Sequence, residues 1–313
     1  MLSRIAESLY WIGRYVERAE DTARILDVHM HRLLDDPSTD EEASGRLLAV
    51  MGASLAAPTP DATAVTEVLA FDATAPSSIV AALRAARENA RGARDALSSE
   101  LWQCLNSTHN ELPARMAAAR AASPHAFFEF VKERCAQVAG LTDSTMSRDD
   151  GWRFLVLGRS LERVDMTARM LSTRLMAPST PAEWVSTLQC CSAHEAFLRT
   201  YRRALEPPLV VEFLVLDRLF PRSAFHALSS AEACLADLDP AATRTGLPDE
   251  ARRIVGRART DLEFCRIEDL MADLRQHLYR LQLAVSRGGD AIGRRFFREL
   301  APQAWAEGLN VGT

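Results

Sequence analysis

One segment of this chain occurs twice, and that constrains the fold more than any other feature. Residues 9–26 read LYWIGRYVERAEDTARIL and residues 154–171 read FLVLGRSLERVDMTARML. At a constant offset of 145, eight of the eighteen positions are identical: Gly13/Gly158, Arg14/Arg159, Glu17/Glu162, Arg18/Arg163, Thr22/Thr167, Ala23/Ala168, Arg24/Arg169 and Leu26/Leu171. Chance would leave about one, so the match marks a duplicated unit. Both copies lack proline and place apolar residues at helical spacing, so the unit is a helix.

The charges in this helix are the difficulty. In the second copy Phe154, Leu157, Leu161, Val164, Ala168 and Leu171 cover one side, while Trp152, Leu155, Val156, Met166 and Met170 cover much of the other. A helix apolar nearly all round is buried. Yet Arg159, Glu162 and Arg163 sit in its middle, and in the first copy Arg14, Arg18, Asp21 and Glu7 share a face with Trp11 and Ile25. An unpaired buried charge costs several kcal/mol, so these must be compensated. Two readings follow. In one, the copies pack about a pseudo-twofold axis, and Glu17 and Glu162 cross-pair with Arg163 and Arg18. In the other, surplus arginines, Arg14 and Arg159 first, line a site for a phosphate or carboxylate. Arg14, Arg18, Arg159 and Arg163 face Glu17, Glu162, Glu7 and Asp21, four against four, a balance that needs no ligand. Thr22, Arg24, Thr167 and Arg169 are secondary candidates beside the motif. Gly13 and Gly158 suit either reading, because a helix-interior glycine costs about 1 kcal/mol and so suggests close helix–helix approach.

The rest of the chain reads as helix too. Apolar periodicity predicts helices over 3–34, 42–56, 64–71, 77–108, 111–122, 124–139, 151–176, 182–206, 223–238 and 248–287, with a short last helix at 290–299. Gly140 is placed as a helix cap, and Thr142–Asp150 as a polar loop whose Asp149 or Asp150 caps the next helix. Residues 209–219, rich in Val and Leu behind Pro207-Pro208, fit a strand or a buried helix. Helix is preferred, since a lone strand would have no partner. The expected fold is all-α: a multi-helix bundle with an internally duplicated long helix. One domain is expected over 1–313, in two pseudo-repeated halves of roughly 1–140 and 141–313.

Several function classes are disfavoured. A net charge of -5 argues against a general nucleic-acid binder. The six cysteines form no C-x-x-C pair and read as reduced, buried thiols. Met-Leu-Ser-Arg-Ile-Ala-Glu is not a signal peptide, and no uncharged apolar run reaches the roughly 20 residues of a membrane span. A cytoplasmic protein with no membrane contact is expected. The sequence has no Glu-x-x-His, P-loop, Gly-x-Gly-x-x-Gly or His-Glu-x-x-His, so neither a metal nor a cofactor is expected. His109, His125, His226 and His277 read as isolated histidines. The turn Asp217–Ser223 is either a helix stop with Ser223 as the next cap, or a ligand-facing loop that contributes Arg222.

Four stretches carry a family resemblance: LSRIAESLYWIGRYVERAEDTARIL at 2–26, ARENARGARDALSSELWQCLN at 86–106, STMSRDDGWRFLVLGRSLERVDMTARML at 144–171 and FLVLDRLFPRSAFHAL at 213–228. Together they resemble the α-E family, a domain-of-unknown-function group named for its helices and its Glu-Arg motif. Glu17-Arg18 and Glu162-Arg163 match that motif. Val164-Asp165-Met166 stands opposite Ala19-Glu20-Asp21, so the last position is not acidic in both copies. The resemblance implies a context rather than a reaction. Family members accompany a circularly permuted ATP-grasp protein and often a transglutaminase-like peptidase. The implied role is a helical partner subunit of an amide-forming or peptide-modifying system, binding or presenting a carboxylate or peptide substrate. Two alternatives stand beside it: an enzyme using Glu17 or Glu162 as general base, and a purely structural scaffold.

Overall fold

The two repeat copies lie in helix α1 (Ser3–Asp35) and helix α7 (Asp150–Thr173), which cross and pack on each other at the centre of the molecule. The structure is a computed structural model that describes residues 2–297, apart from 36, 38–39, 54–59, 177–179, 241–245 and 248. Among the described residues there are fourteen α-helices and no strand, so the chain is all-α. Between α1 and α7 come α2 (Asp40–Met51), α3 (Ala62–Thr66), α4 (Ile79–Gly92), α5 (Ser99–Ala121) and α6 (His125–Thr145). After α7 come α8 (Pro181–Cys190), α9 (His194–Tyr201), α10 (Pro207–Leu216), α11 (Ala224–Leu238), α12 (Glu250–Glu263), α13 (Ile267–Ala272) and α14 (Leu274–Ile292).

The packing repeats as the sequence does. Helix α1 packs on α4 and α6, with α5 bridging those two. Helix α7 packs on α11 and α14, with α12 bridging those two. Each group of four buries an apolar face, and α1 and α7 join the groups back to back. That position explains why both central helices are apolar nearly all round: each has neighbours on every side.

Residues 209–219 fall largely in α10, a helix. Pro207 and Pro208 occupy its first turn, where a missing N–H costs nothing. Its Val-Val-Glu-Phe-Leu-Val run buries Val210, Val211, Phe213, Leu214 and Val215, and the helix satisfies its own backbone where a strand would have no partner.

Several expected boundaries are corrected. The span 77–108 is broken near Ala93–Ser98, where Ser98 Oγ accepts from Leu101 N and starts α5. Helix α5 then runs through Pro113, on its exposed face, where water can meet the carbonyl the proline leaves unbonded. Gly140 caps nothing. Helix α6 continues to Thr145, so the expected loop from Thr142 shrinks to a short link in which Asp149 caps α7 through Gly151 N and Trp152 N. The span 182–206 is split into α8 and α9 by Ser192, whose φ is 53°. The span 248–287 is three helices, and Gly288 and Gly289 lie inside the last of them. Gly288 serves close packing, since a Cβ there would stand 3.3 Å from Val255 Cγ2, whereas one on Gly289 would make only ordinary contact with the Tyr10 hydroxyl, 3.5 Å away. Residues 54–56, 248 and 298–299 of the expected helices lie outside the described residues.

All six cysteines are unpaired, five of them buried and Cys265 half-buried. Burial raises the thiols of Cys190 and Cys234 to about 12, so these are packing groups rather than nucleophiles. No helix among the described residues is long and apolar enough to cross a membrane.

Candidate functional site

The site begins with two glycines. A Cβ on Gly13 would lie 2.1 Å from the Leu155 carbonyl oxygen, and one on Gly158 would lie 2.0 Å from the Tyr10 carbonyl oxygen. Helices α1 and α7 therefore touch backbone to backbone. One turn beyond the contact, each helix carries its Glu-Arg pair, and the crossing brings each glutamate against arginines of the other helix.

Glu162 is 1% exposed. Arg18 Nε donates to its Oε1 at 2.6 Å and Arg18 Nη2 to its Oε2 at 3.2 Å, and Arg14 Nε donates to the same Oε2. Arg14 is held in turn by the Tyr10 hydroxyl, 3.0 Å from Nη1. Burial alone would raise the Glu162 carboxyl, but Arg14 and Arg18 overcome it and hold the group below its ordinary range.

Glu17, 2% exposed, is the mirror of this with one exchange. Arg163 binds it at both oxygens, Nε to Oε1 at 2.6 Å and Nη2 to Oε2 at 2.9 Å. The second guanidinium is not Arg159 but Arg222, which enters from the loop before α11. Arg222 Nη1 donates to Glu17 Oε1 at 2.9 Å and to Asp21 Oδ1 at 2.6 Å, and its Nη2 donates to Glu20 Oε1. Against burial, Arg222 and Arg163 hold the Glu17 carboxyl well below the usual range. Burial raises Asp21 to about 8, with Glu17 and Glu20 adding to the rise against the pull of Arg222, while Glu17 is held low, so Asp21 takes up a proton more readily than Glu17.

The candidates thus have different surroundings. Arg14, Glu17, Arg18, Glu162 and Arg163 come together in one buried double cluster. Arg159 stands apart: its nearest carboxylate is that of half-exposed Asp143, at 3.7 Å. Leu155 occupies the place that Tyr10 has in the first copy, and so offers Arg159 no hydroxyl. Burial, followed by the charge of Arg163, lowers its pKa. Arg24 and Arg169 pair one turn back with Glu20 and Asp165, and Arg169 Nη1 also binds the Val50 carbonyl at 2.7 Å. The Thr167 hydroxyl donates to the Arg222 carbonyl at 3.3 Å, whereas the buried Thr22 hydroxyl has no partner among the described residues.

Tyr10, Glu20 and Asp165 are cluster members that the motif alone does not reveal. Their signal is i,i+4 spacing to Arg14, Arg24 and Arg169. A second group escapes sequence reading altogether. Asp27, His31 and His125 bring donor atoms within 4.8 Å of one another, although 98 residues separate His125 from Asp27. Lys132 Nζ sits 2.8 Å from Asp27 Oδ2, so an ammonium already serves that carboxylate. The sequence reading of His125 as isolated is corrected.

A pocket of about 270 Å³ opens beside Glu162, between α1, α7 and the loop before α4. A larger groove of about 700 Å³ runs between α12 and α14, rimmed by Arg253, Arg257, Arg280 and Arg287, with Phe264 79% exposed at its edge.

The family model Alpha-E, described as "a predicted alpha-helical domain with a conserved ER motif", matches residues 1–297. An uncharacterized protein of Mycobacterium bovis is 28% identical over 295 residues, covering 85% of this chain and 33% of the relative. Two uncharacterized proteins of Mycobacterium tuberculosis strains match over the same length at 28% and 27% identity, again over 33% of each relative. The chain thus spans a third of the length of the curated relatives it matches. No solved structure matches it.

Proposed function

This chain belongs to the Alpha-E family, and from that premise we propose that it is a non-catalytic helical partner of an ATP-grasp amide ligase, binding or presenting that enzyme's carboxylate or peptide substrate. The observation that carries the non-catalytic half is the state of the motif glutamates. Each is buried, and each has both oxygens committed to two guanidinium groups. A carboxylate so held, with its pKa depressed, is a poor proton acceptor, and this disfavours the reading of Glu17 or Glu162 as a general base. The motif instead locks the two central helices in register.

The partner half rests on the family resemblance, with support from two observations. In the mycobacterial relatives the matching region is joined to about twice its own length of further chain, as suits a module that works beside other domains. The groove between α12 and α14 sets four arginines against two carboxylates, Glu250 and Asp261, beside exposed Phe264, a net basic composition that suits docking of an acidic partner surface. The reading adds the transglutaminase-like peptidase as a second partner in the same system.

The test is co-expression with the ATP-grasp protein of the same genome. Co-elution on gel filtration, and ATP-dependent amide formation that needs both proteins, is the expected outcome. An ATP-grasp protein that neither binds this chain nor changes its activity in its presence would refute the reading.

A further inference from the structure

The duplication reaches beyond the helices that announce it. Residues 72–78 read DATAPSS and residues 217–223 read DRLFPRS, again 145 apart, and share only Asp, Pro and the final Ser. Their internal bonds are nonetheless the same. The Ser78 hydroxyl donates to the Asp72 carbonyl and the Ser223 hydroxyl to the Asp217 carbonyl, both at 2.5 Å. Asp72 Oδ1 accepts from Thr74 N and Asp217 Oδ1 from Leu219 N, both at 2.8 Å. Each final serine then caps the following helix, α4 or α11. The two loops are copies of one device, and they differ at one position that matters. Where the second has Arg222, the first has Ser77.

Arg222 is a plug. Its guanidinium fills a socket made by Glu17, Glu20 and Asp21. The residues at the matching positions of the other copy are Glu162, Asp165 and Met166, and these three, with Pro76, Ser77, Arg18 and Arg169, line the pocket beside Glu162. The pocket is the unplugged duplicate of the Arg222 socket.

Its electrostatics have changed sign. The plugged socket offers three carboxyl groups to its cation. In the open one the third has become Met166, and the remaining two are already served: Glu162 by Arg14 and Arg18, Asp165 by Arg169. In the lining itself Arg18 and Arg169 balance Glu162 and Asp165, and Arg14, paired to Glu162 from outside the pocket, brings the group one positive charge in excess. Among the described residues, Arg18 Nη1 and Arg169 Nη2 have no hydrogen-bond partner. A cation would meet carboxylates already occupied, while an anion would meet N–H groups still available. One surplus charge matches a monoanion better than a phosphate dianion. Met51 and Met166 supply an adaptable apolar wall. At about 270 Å³ the pocket falls just under the range of roughly 300–1,000 Å³ for small-molecule sites. Its occupant is therefore of amino-acid rather than nucleotide size.

We infer that the open duplicate of the Arg222 socket binds the carboxylate of a small ligand, an acylated amino acid or a peptide C-terminus, with that ligand's apolar side chain against Met51 and Met166. This deepens the function proposed above by giving its substrate carboxylate a place, and it is tested without any partner protein.

The full chain, labelled with ¹³C at its methionine methyls, is titrated with N-acetyl-leucine, its neutral amide, inorganic phosphate and methylguanidinium, with Met51→Leu and Met166→Leu assigning the two signals. N-acetyl-leucine is expected to shift both signals and to bind at least about tenfold more tightly than the amide or the other two probes. The double variant Ser77→Arg/Met166→Asp rebuilds the plugged socket and should abolish the response. Equal binding of acid and amide, preference for methylguanidinium or phosphate, or no shift of either signal would overturn the inference on the parent protein alone, whether or not the variant folds. A folded double variant that binds like the parent would do the same. If the chain co-elutes with its ATP-grasp partner while the pocket ignores N-acetyl-leucine, the inference falls and the partner role stands.

Discussion

Gly158→Ala adds one methyl group at the point where the two central helices touch. The new carbon would lie 2.0 Å from the Tyr10 carbonyl oxygen, 3.0 Å from the carbonyl carbon and 3.2 Å from Arg14 N. An ordinary C···O contact is about 3.3 Å, so the helices must part by roughly 1 Å at the crossing. A gap of roughly 0.5–1 Å forfeits a quarter to a half of each dispersion contact along the interface. The same shift lengthens the bonds from Arg14 and Arg18 to Glu162. Opposing this, alanine is better in a helix than glycine by about 1 kcal/mol. The obstruction is main chain, which no rotamer change can clear, so a net loss of about 3–5 kcal/mol is expected. With an unfolding entropy of about 2.1 cal/mol/K per residue, a chain of this length should lose roughly 5–8 °C in Tm, provided it melts in one transition. Circular dichroism melts on parent and variant measure it. Gly140→Ala is the control: it also sits within a helix, but a Cβ there meets nothing within 4 Å, so the variant should melt at or slightly above the parent temperature. Gly13→Ala should behave as Gly158→Ala does, and the double variant should lose less than the sum, because one separation relieves both clashes. If Gly158→Ala melted as high as Gly140→Ala, the helices would not be in backbone contact, and the reasoning would fail.

Glu162→Ala leaves Arg14 and Arg18 facing each other without their carboxylate and should cost about 3–5 kcal/mol in urea unfolding, with Glu162→Gln costing less; parent-like midpoints for both would show the pair to be exposed. Arg14→Lys should lower the melting temperature, because lysine cannot reach Glu162 and Tyr10 together with a planar fork, whereas Arg159→Lys should leave it nearly unchanged; equal effects would contradict the asymmetry between the copies. Asp21 has its pKa raised from 3.8 to about 8, so its stabilising contribution is complete below pH 4 and is lost as pH climbs toward 8. Asp21→Asn should therefore flatten the fall in unfolding free energy over that window, which at most is about 1.4 kcal/mol per pH unit for one proton; an unchanged profile would place the proton elsewhere.

The all-α architecture was legible because each central helix carries its own periodicity, and the cross-pairing of glutamates with arginines was legible as one of two ways to compensate charges in an apolar surround, the other being an anion site. The break between α4 and α5 was hidden, since Ala- and Arg-rich sequence near 93–98 has helical propensity on both sides and only packing decides where the chain turns. The expected gap between 287 and 290 falls on Gly288 and Gly289 because glycine's conformational freedom is visible in sequence, while the Val255 side chain that packs close on Gly288 is not. The same holds for Arg222: nothing local to Asp217–Ser223 says that its guanidinium crosses to Glu17. The open pocket was the least legible part. It consists of what Ser77 and Met166 lack, and it becomes visible only when each is compared with its counterpart 145 residues away.

Every guanidinium that neutralises a motif glutamate comes from the other half of the chain: Arg14 and Arg18 serve Glu162, and Arg163 and Arg222 serve Glu17. A surface on which residue i meets j and j meets i is isologous, the kind by which two identical subunits form a closed dimer. In such a dimer both sockets must be alike, because one gene writes them both. Joining the two copies in a single polypeptide removes that obligation: position 222 carries arginine and position 77 serine, so one of two equivalent places is filled while the other is open. The cost is independence: each half holds a motif glutamate whose counter-charges lie in the other.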